Sequence, residues 1–208
     1  MNIISTCDEF ADAVLACAEI PLLHCIKDSD SKVEYNWDIL QLNKEVIMKI
    51  EELLKKGQTS LNTGNPKEAL GFYDKVLEIN PLEIEALLKK GHILGKLARY
   101  QQAITFYDKV LQQEENLLAL LNKGLAHHYI SEYDVAIDCF DKVLVEKPQN
   151  TTALYNKASS LIKSDNLEKG FEVLEQVVKL DFSYKVKAQC DLDFQDIKKL
   201  NEFKRIVL

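Results

Sequence analysis

The sequence predicts an all-α solenoid built from about four stacked helix pairs, and three observations support this fold class. The tetrapeptide Asp-Lys-Val-Leu recurs at 74–77, 108–111 and 141–144, and a diverged fourth copy lies at 175–178. Apolar residues around each copy follow helical rather than strand spacing. The 208 residues include 7 Gly and 4 Pro, too few for turn-rich β architecture. A period near 34 residues accommodates two helices, and such pairs bury their apolar faces by stacking.

Other positions recur with the tetrapeptide, and each has a physical role in a helix pair. Small residues lie at the middle of both helices, where they allow the two backbones to approach closely. A large residue follows in the second helix and fills the layer between neighbouring pairs. The recurrent positions are Leu53, Leu87, Leu120 and Leu154; Gly57, Gly91, Gly124 and Ala158; Ala69, Ala103, Ala136 and Gly170; and Tyr73, Tyr107, Phe140 and Leu174.

This pattern resembles the tetratricopeptide-repeat (TPR) family over about two-thirds of the chain. The resemblance implies a right-handed superhelical solenoid with helical caps at both ends, whose usual activity is binding another protein. We expect repeats at about 50–83, 84–116, 117–150 and 151–184 within a repeat region 43–184, and capping helices at 185–208. In the third pair we expect a second helix at 133–146, and in the fourth one at 167–180. The second pair is expected to begin at Pro81, which follows Asn80 as a cap.

Residues 1–42 precede the repeats and are not explained by the family. The segment 8–20 has an acidic first turn and an apolar stripe that contains Phe10, Val14 and Cys17. It predicts a short amphipathic helix that ends before Pro21, followed by a polar linker. We consider two uses for it: a cap on the first repeat, or an arm that fills the groove or makes a homodimer.

In TPR solenoids the first helix of each pair lines the concave face, and this rule predicts a partner-binding groove. The third such helix, at about 116–130, is unusually rich in leucine, and a helix that is apolar on more than one face is expected to be covered there. The cover is a partner protein, the terminal segments of the chain, or a second copy. The candidate groove residues are Leu54, Leu88, His92, Lys96, Leu118, Leu121, Leu125, His128, Tyr129, Tyr155 and Ile162.

A subclass of the family grips the terminal carboxylate of chaperone tails with lysines and asparagines. Leu54 and Leu118 stand where that clamp requires lysine, and Lys89 stands where it requires asparagine. We therefore do not expect a chaperone-tail function.

Charge and cysteine content narrow the class of partner. The formal net charge is −7, which disfavours nucleic acid and anionic membrane surfaces. No stretch reaches the ~18 apolar residues of a membrane helix, and the N-terminus lacks the basic start of a signal peptide. Five cysteines without framework spacing indicate reduced thiols and a cytoplasmic location.

Motifs of catalysis and cofactor binding are not found in the sequence. It contains no phosphate-binding glycine loop, no His-Glu-x-x-His, no Cys-x-x-Cys and no Gly-x-Ser-x-Gly. His127 and His128 are adjacent, so on a helix they point about 100° apart and do not face one metal. We expect no catalytic residue, cofactor or metal, and favour a cytoplasmic adaptor that binds a protein or peptide. The alternative is self-assembly through the groove or the N-terminal helix.

Overall fold

The computed structural model describes residues 37–208, and the regular elements of this part are helices. Residues 46–208 form one compact unit. The predicted helix at 8–20 lies outside the described residues, and residues 37–42 belong to the first helix rather than to a linker. The helices are α1 Trp37–Asn62, α2 Pro66–Ile79, α3 Ile84–Lys96, α4 Tyr100–Leu111, α5 Leu117–Tyr129, α6 Tyr133–Glu146, α7 Thr151–Lys163, α8 Leu167–Leu180, α9 Ser183–Cys190 and α10 Asn201–Val207, with a 3-10 helix at Leu192–Ile197 before α10.

The first three helix pairs are each closed by contact between a glycine and an aromatic ring. A Cβ atom added to Gly91 would lie 2.6 Å from Cε1 of Tyr107. The same construction at Gly57 and at Gly124 meets the rings of Tyr73 and Phe140, each at 2.8 Å. These aromatic rings are buried, so they have little room to move. The recurrent small residues thus provide the close approach that the sequence predicts.

The turn between the two helices of each pair uses one left-handed residue. Gly64, Ala98, Ser131 and Asp165 have φ of 79°, 56°, 64° and 66°. They occupy the same place in the four repeats, although only the first is a glycine. The tight turn therefore holds Ala98, Ser131 and Asp165 in the left-handed conformation, which normally costs a residue other than glycine about 1–2 kcal/mol.

The second pair begins later than the sequence predicts. Helix α3 starts at Ile84, not at Pro81. Oδ1 of Asn80 accepts a hydrogen bond from the backbone N–H of Leu82 at 3.1 Å, and the backbone carbonyl of Asn80 accepts one from Glu83. The Asn80 side chain therefore stabilises a turn, which places Pro81 before the helix rather than inside it.

A recurrent salt bridge joins each repeat to the next. Lys123 Nζ lies 2.6 Å from Asp108 Oδ1, and Lys157 Nζ lies 2.5 Å from Asp141 Oδ1. Lys90 makes the equivalent pair with Asp74. This aspartate is the first residue of the recurrent tetrapeptide, whereas its lysine partner is a finding of the structure. The salt bridge is a polar contact that helps to fix how neighbouring repeats align.

The first helices of the pairs form the inner row of the stack. Helix α3 contacts α5, and α5 contacts α7, whereas the second helices of successive pairs contact one another less within residues 46–208. The row with the closer spacing lies on the inside of a curved stack. The face of α1, α3, α5 and α7 that points away from the second helices is therefore the concave side.

The segment after Leu180 packs against the last helix pair. Helices α9 and α10 contact α8, and the 3-10 helix contacts α7. Phe194, Phe203 and Ile206 of this segment join a core cluster with Tyr155 and Leu174. The apolar face at the end of α7 and α8 is thereby buried within the chain.

Candidate protein-binding groove

The predicted groove residues occupy equivalent positions on the four first helices. Leu54, Leu88, Leu121 and Tyr155 share one position, and Gln58, His92, Leu125 and Ser159 share the next along the helix. His128 and Ile162 lie one turn further on, beside Lys96 and Tyr129. Leu118 lies one turn earlier. Positions separated by three or four residues share one helix face, so each helix presents a stripe to the concave side.

The first three repeats leave this stripe open in the described residues. Leu118 and Tyr129 are 55% and 54% exposed. His92 and Lys96 are exposed too, and Leu54, Leu88, Leu121 and Leu125 are half-buried. We call the surface formed by these eight residues the open groove. A row of half-buried leucines beside exposed apolar and cationic side chains is suited to a partner that is partly apolar.

Three predicted groove residues are instead buried, and the groove is therefore shorter than the sequence predicts. Tyr155 is 2% exposed, and His128 and Ile162 are each 6% exposed. Ile162 faces the inside of its own helix pair, where its Cγ1 atom would lie 2.5 Å from a Cβ atom added to Gly170. Tyr155 and His128 are covered by the C-terminal segment. In this structure these three side chains offer no surface to a partner.

Two carboxylates of the C-terminal segment bind the concave side of the third and fourth repeats. The Tyr155 hydroxyl donates to Asp191 Oδ2 at 2.7 Å, and the Ser159 hydroxyl donates to Asp193 Oδ2 at 2.6 Å. His128 Nε2 lies 3.1 Å from the same Asp193 oxygen and donates to it, because an ionised carboxylate only accepts. We call Asp191, Asp193 and their three donors the acidic latch.

The acidic latch shifts the pKa of its members in opposite directions. The pKa of Asp193 is lowered, mainly because its anion accepts the hydrogen bond from His128, with further help from Ser159. Burial raises the pKa of Tyr155, and the hydrogen bond to Asp191 raises it further. The latch therefore keeps the Tyr155 phenol neutral and the Asp193 carboxyl ionised around pH 7.

The sequence analysis does not identify the acidic latch, although one signal for it is present. Lys90, Lys123 and Lys157 recur with the repeat period, and the next position in that series is Asp191. The repeats have a lysine at this position, whereas the segment after them has Asp191. This change from a positive to a negative side chain marks the end of the repeated interface. The period alone does not show that Asp191 turns back onto Tyr155.

Ser160, His128 and Asp193 have the side-chain types of a hydrolytic triad, but their arrangement does not suit catalysis. The Ser160 hydroxyl lies 2.9 Å from His128 Nδ1, and it donates to the backbone carbonyl of Asn156. Ser160 is fully buried. A nucleophile must reach a substrate, and this hydroxyl has no exposed surface. The cluster is therefore a structural contact between helices.

An aromatic cluster lies where the open groove meets the acidic latch. The rings of Tyr100 and Tyr129 stack with centroids 4.9 Å apart, and the ring of His128 meets Tyr129 edge-on. The pKa of Tyr129 is raised, first by partial burial and then by nearby groups that include Asp193 and Asp191. Tyr129 is thus held in place on one side and exposed on the other.

A cationic cluster lies on α3 at the second repeat of the open groove. Lys89, His92 and Lys96 are three and four residues apart and lie on one side of the helix. The pKa of His92 is lowered by partial burial first, and then by the positive charges of Lys96 and Lys89. Lys89 donates to the amide oxygen of Gln58 on α1 at 2.6 Å. The ammonium groups of Lys89 and Lys96 give the second repeat a positive local field, and this field disfavours protonation of His92.

Two further properties of the described part bear on function. Residues 37–208 hold no group of three or more His, Cys, Asp or Glu side chains placed to bind a metal ion. Among the described helices, none combines the length and apolar character that crossing a membrane requires.

The architecture and the open groove define the class of protein as a helical-repeat interaction module. Solved structures with the same architecture are the MamA fragment 41-end from Desulfovibrio magneticus RS-1, with 26% identity and a TM-score of 0.62, and a double mutant of MamA RS-1, with 25% identity and a TM-score of 0.63. Each match covers 76% of this chain, and 96% and 94% of the respective structures. YrrB, described as a TPR protein with an unusual peptide-binding site, matches at 16% identity with a TM-score of 0.61. The match covers 77% of this chain and 88% of the YrrB chain. At this identity the match shows the fold alone.

The repeats are identified by sequence as well as by structure. The tetratricopeptide-repeat model matches residues 53–81, 84–116 and 151–184. The chain therefore contains tetratricopeptide repeats. No curated protein sequence matches it significantly. These repeats support a general role in protein–protein interaction.

Proposed function

We propose that the protein is a non-enzymatic cytoplasmic adaptor whose open groove binds a peptide or a helix of a partner protein. The observation that carries this proposal is the exposure of Leu118 and Tyr129 on the inner helix α5. Leu121 and Leu125 lie beside them and are half-buried. Burying a fully exposed leucine contributes about 1.5–3 kcal/mol, and each of these partly exposed leucines gains about half of that when a partner covers it. The thiols of Cys139 and Cys190 are unpaired, which supports a reducing compartment.

The shape of the site favours a short linear ligand over a globular one. The open groove runs across three parallel inner helices, α1, α3 and α5, rather than forming an enclosed cavity. Grooves between helices accept an amphipathic helix or an extended peptide with apolar side chains at regular spacing. YrrB, which shares this fold, is described as having an unusual peptide-binding site, and this description supports a peptide ligand.

The proposal is tested by one substitution in the groove and a matched one on the outer helix of the same repeat. Leu118→Glu introduces a charge in the groove, and Val145→Glu introduces the same charge on α6, where Val145 is 77% exposed. Both side chains start exposed, so we expect both variants to keep the circular dichroism spectrum of the wild type. Peptides are selected from a displayed random library with each purified protein.

The expected result is enrichment of apolar-containing peptides by the wild type and by Val145→Glu, and loss of that enrichment with Leu118→Glu. Equal enrichment by all three proteins contradicts the groove as the binding surface. The rival occupant is a second copy of the chain. Sedimentation at several concentrations identifies it, because Leu118→Glu then dissociates a dimer that Val145→Glu leaves intact.

A further inference from the structure

We infer that the second repeat of the open groove binds an acidic side chain of the partner, at Lys89, His92 and Lys96, while the third repeat binds apolar side chains next to it. This inference rests on the proposed function and specifies the chemistry of the ligand. It assigns a carboxylate within the peptide, not the free C-terminal carboxylate that the chaperone-tail clamp recognises. Three features of the molecule support it.

The first feature is that the chain itself shows how this concave side binds carboxylates. Asp193 accepts a hydrogen bond from Ser159, which occupies on α7 the position that His92 occupies on α3. Asp191 likewise accepts from Tyr155, the equivalent of Leu88. The acidic latch thus fills the fourth repeat with an acidic segment of the same chain. His92 offers a ring nitrogen at the equivalent position two repeats earlier, with lysines on either side.

The second feature is that the groove lysines, unlike the interface lysines, have no carboxylate partner within residues 37–208. Lys123 and Lys157 each pair with an aspartate of the preceding repeat. Lys89 and Lys96 form no salt bridge in the described part, and Lys89 contacts an amide instead. The two lysines lie on one side of the helix without a carboxylate partner in the part of the chain that the structure describes, and in a protein of net charge −7 they make a site where an anion relieves their mutual repulsion.

The third feature is the position of this cationic cluster relative to the leucines. Helices α3 and α5 pack side by side, and packed helices have axes about 8–10 Å apart. An extended chain advances about 3.4 Å per residue. A carboxylate over His92 therefore places a side chain about three residues away over Leu125 and Leu121. The predicted ligand has Asp or Glu about three residues from a leucine, isoleucine or aromatic residue.

The test uses a random peptide library displayed at the amino terminus of a phage coat protein, so that no peptide has a free C-terminus. Selection is carried out with the full-length wild type, with Lys96→Glu and with Lys142→Glu. Lys96 and Lys142 are both exposed. Lys142 lies on the outer helix α6, so it controls for the change in net charge. An amidated peptide of the consensus sequence is then titrated against all three proteins.

We expect the wild type and Lys142→Glu to enrich acidic residues about three positions from an apolar residue, and Lys96→Glu to lose the acidic preference. The consensus peptide should bind Lys96→Glu about tenfold more weakly, since reversing one partner replaces a modest attraction by repulsion. Added salt should weaken binding to the wild type more than to Lys96→Glu.

Other outcomes overturn the inference and remain distinct from failure of the proposed function. The acidic ligand is rejected if the wild type enriches apolar peptides that lack acidic residues, or if Lys96→Glu keeps the same preference for acidic residues. Either result leaves the groove as a binding site. If the wild type enriches no more peptides than Leu118→Glu does, both the acidic ligand and the groove as a binding site are rejected. A wild-type dimer that Lys96→Glu dissociates shows that the groove holds a second copy, and it also overturns the inference.

Discussion

Asp193 lies 3.1 Å from His128, measured from Oδ2 to Nε2, although 65 residues separate them in the chain. This contact fixes the 3-10 helix Leu192–Ile197 against the end of α5, an inner helix of the third repeat. With Ser159 as a second donor to the same oxygen, it links the C-terminal segment to two repeats at once. The contact therefore determines where the open groove ends.

Replacing Asp193 by Asn should loosen this segment and lower the free energy of unfolding by about 1–3 kcal/mol. Hydrogen bonds to charged groups contribute roughly that amount, and Asn retains the shape while losing the charge. Asp196→Asn is the matched control, because Asp196 is exposed in the same 3-10 helix. Urea unfolding followed by circular dichroism measures both variants. Equal stability of the two variants would mean that Asp193 does not hold the segment.

The contribution of Asp193 should depend on pH in a defined direction. Its folded-state pKa is lowered, chiefly by the hydrogen bond from His128. A carboxyl of this kind stabilises the fold above its unfolded pKa, ~3.9, and loses that contribution as pH falls through the lower folded value. The stability difference between the wild type and Asp193→Asn should hold from pH 7 to about 5 and shrink below about pH 4. A difference that grows in acid would contradict this assignment.

Two alanine substitutions at helical glycines should change stability in opposite directions. In Gly91→Ala the new methyl group would lie 2.6 Å from the Tyr107 ring, and overpacking of this kind costs about 1–3 kcal/mol. In Gly71→Ala nothing lies within 4 Å, so the variant gains the helix preference of alanine, about 1 kcal/mol. Thermal unfolding of both variants measures the contrast. A stabilised Gly91→Ala would mean that the pair is less tightly packed than the structure shows.

The Lys123–Asp108 salt bridge should contribute modestly, and a charge swap should recover it. Both side chains are partly exposed, at 23% and 41%, so we expect about 0.5–1 kcal/mol after screening by solvent. Lys123→Asp and Asp108→Lys should each destabilise the protein, and the double variant should be more stable than the sum of the two effects predicts. Urea unfolding of the four proteins gives the coupling. Strict additivity would show that the contact adds no energy.

The sequence predicts the helices well because their signals are local. The expected second helices of the third and fourth pairs, 133–146 and 167–180, have the bounds of α6 and α8. The start at Pro81 is wrong because the Asn80 side chain favours a turn, an effect of one residue that the period does not reveal. The predicted role of residues 1–42 stays a prediction.

The groove is predicted less completely because its cover comes from distant residues. Leu88 and Tyr155 occupy equivalent positions, so the period treats them alike. Leu88 is half-buried, whereas Tyr155 is covered by a segment that follows it by more than 30 residues in the chain. Periodicity therefore locates the concave side of each helix, while long-range contacts decide which part of it is open.

The recurrent salt bridge stops at the fourth repeat. Asp74, Asp108 and Asp141 each face a lysine on the following repeat, but the fourth repeat has Glu175 at that position, and the series of lysines continues with Asp191. Glu175 pairs within its own helix with Lys179, and Asp191 turns back to Tyr155. The segment after the fourth repeat thus supplies a carboxylate where the repeats supply a lysine. A duplication that inserts a repeat between existing ones keeps every pair, whereas a repeat inserted after residue 184 separates Asp191 from Tyr155 and removes their hydrogen bond.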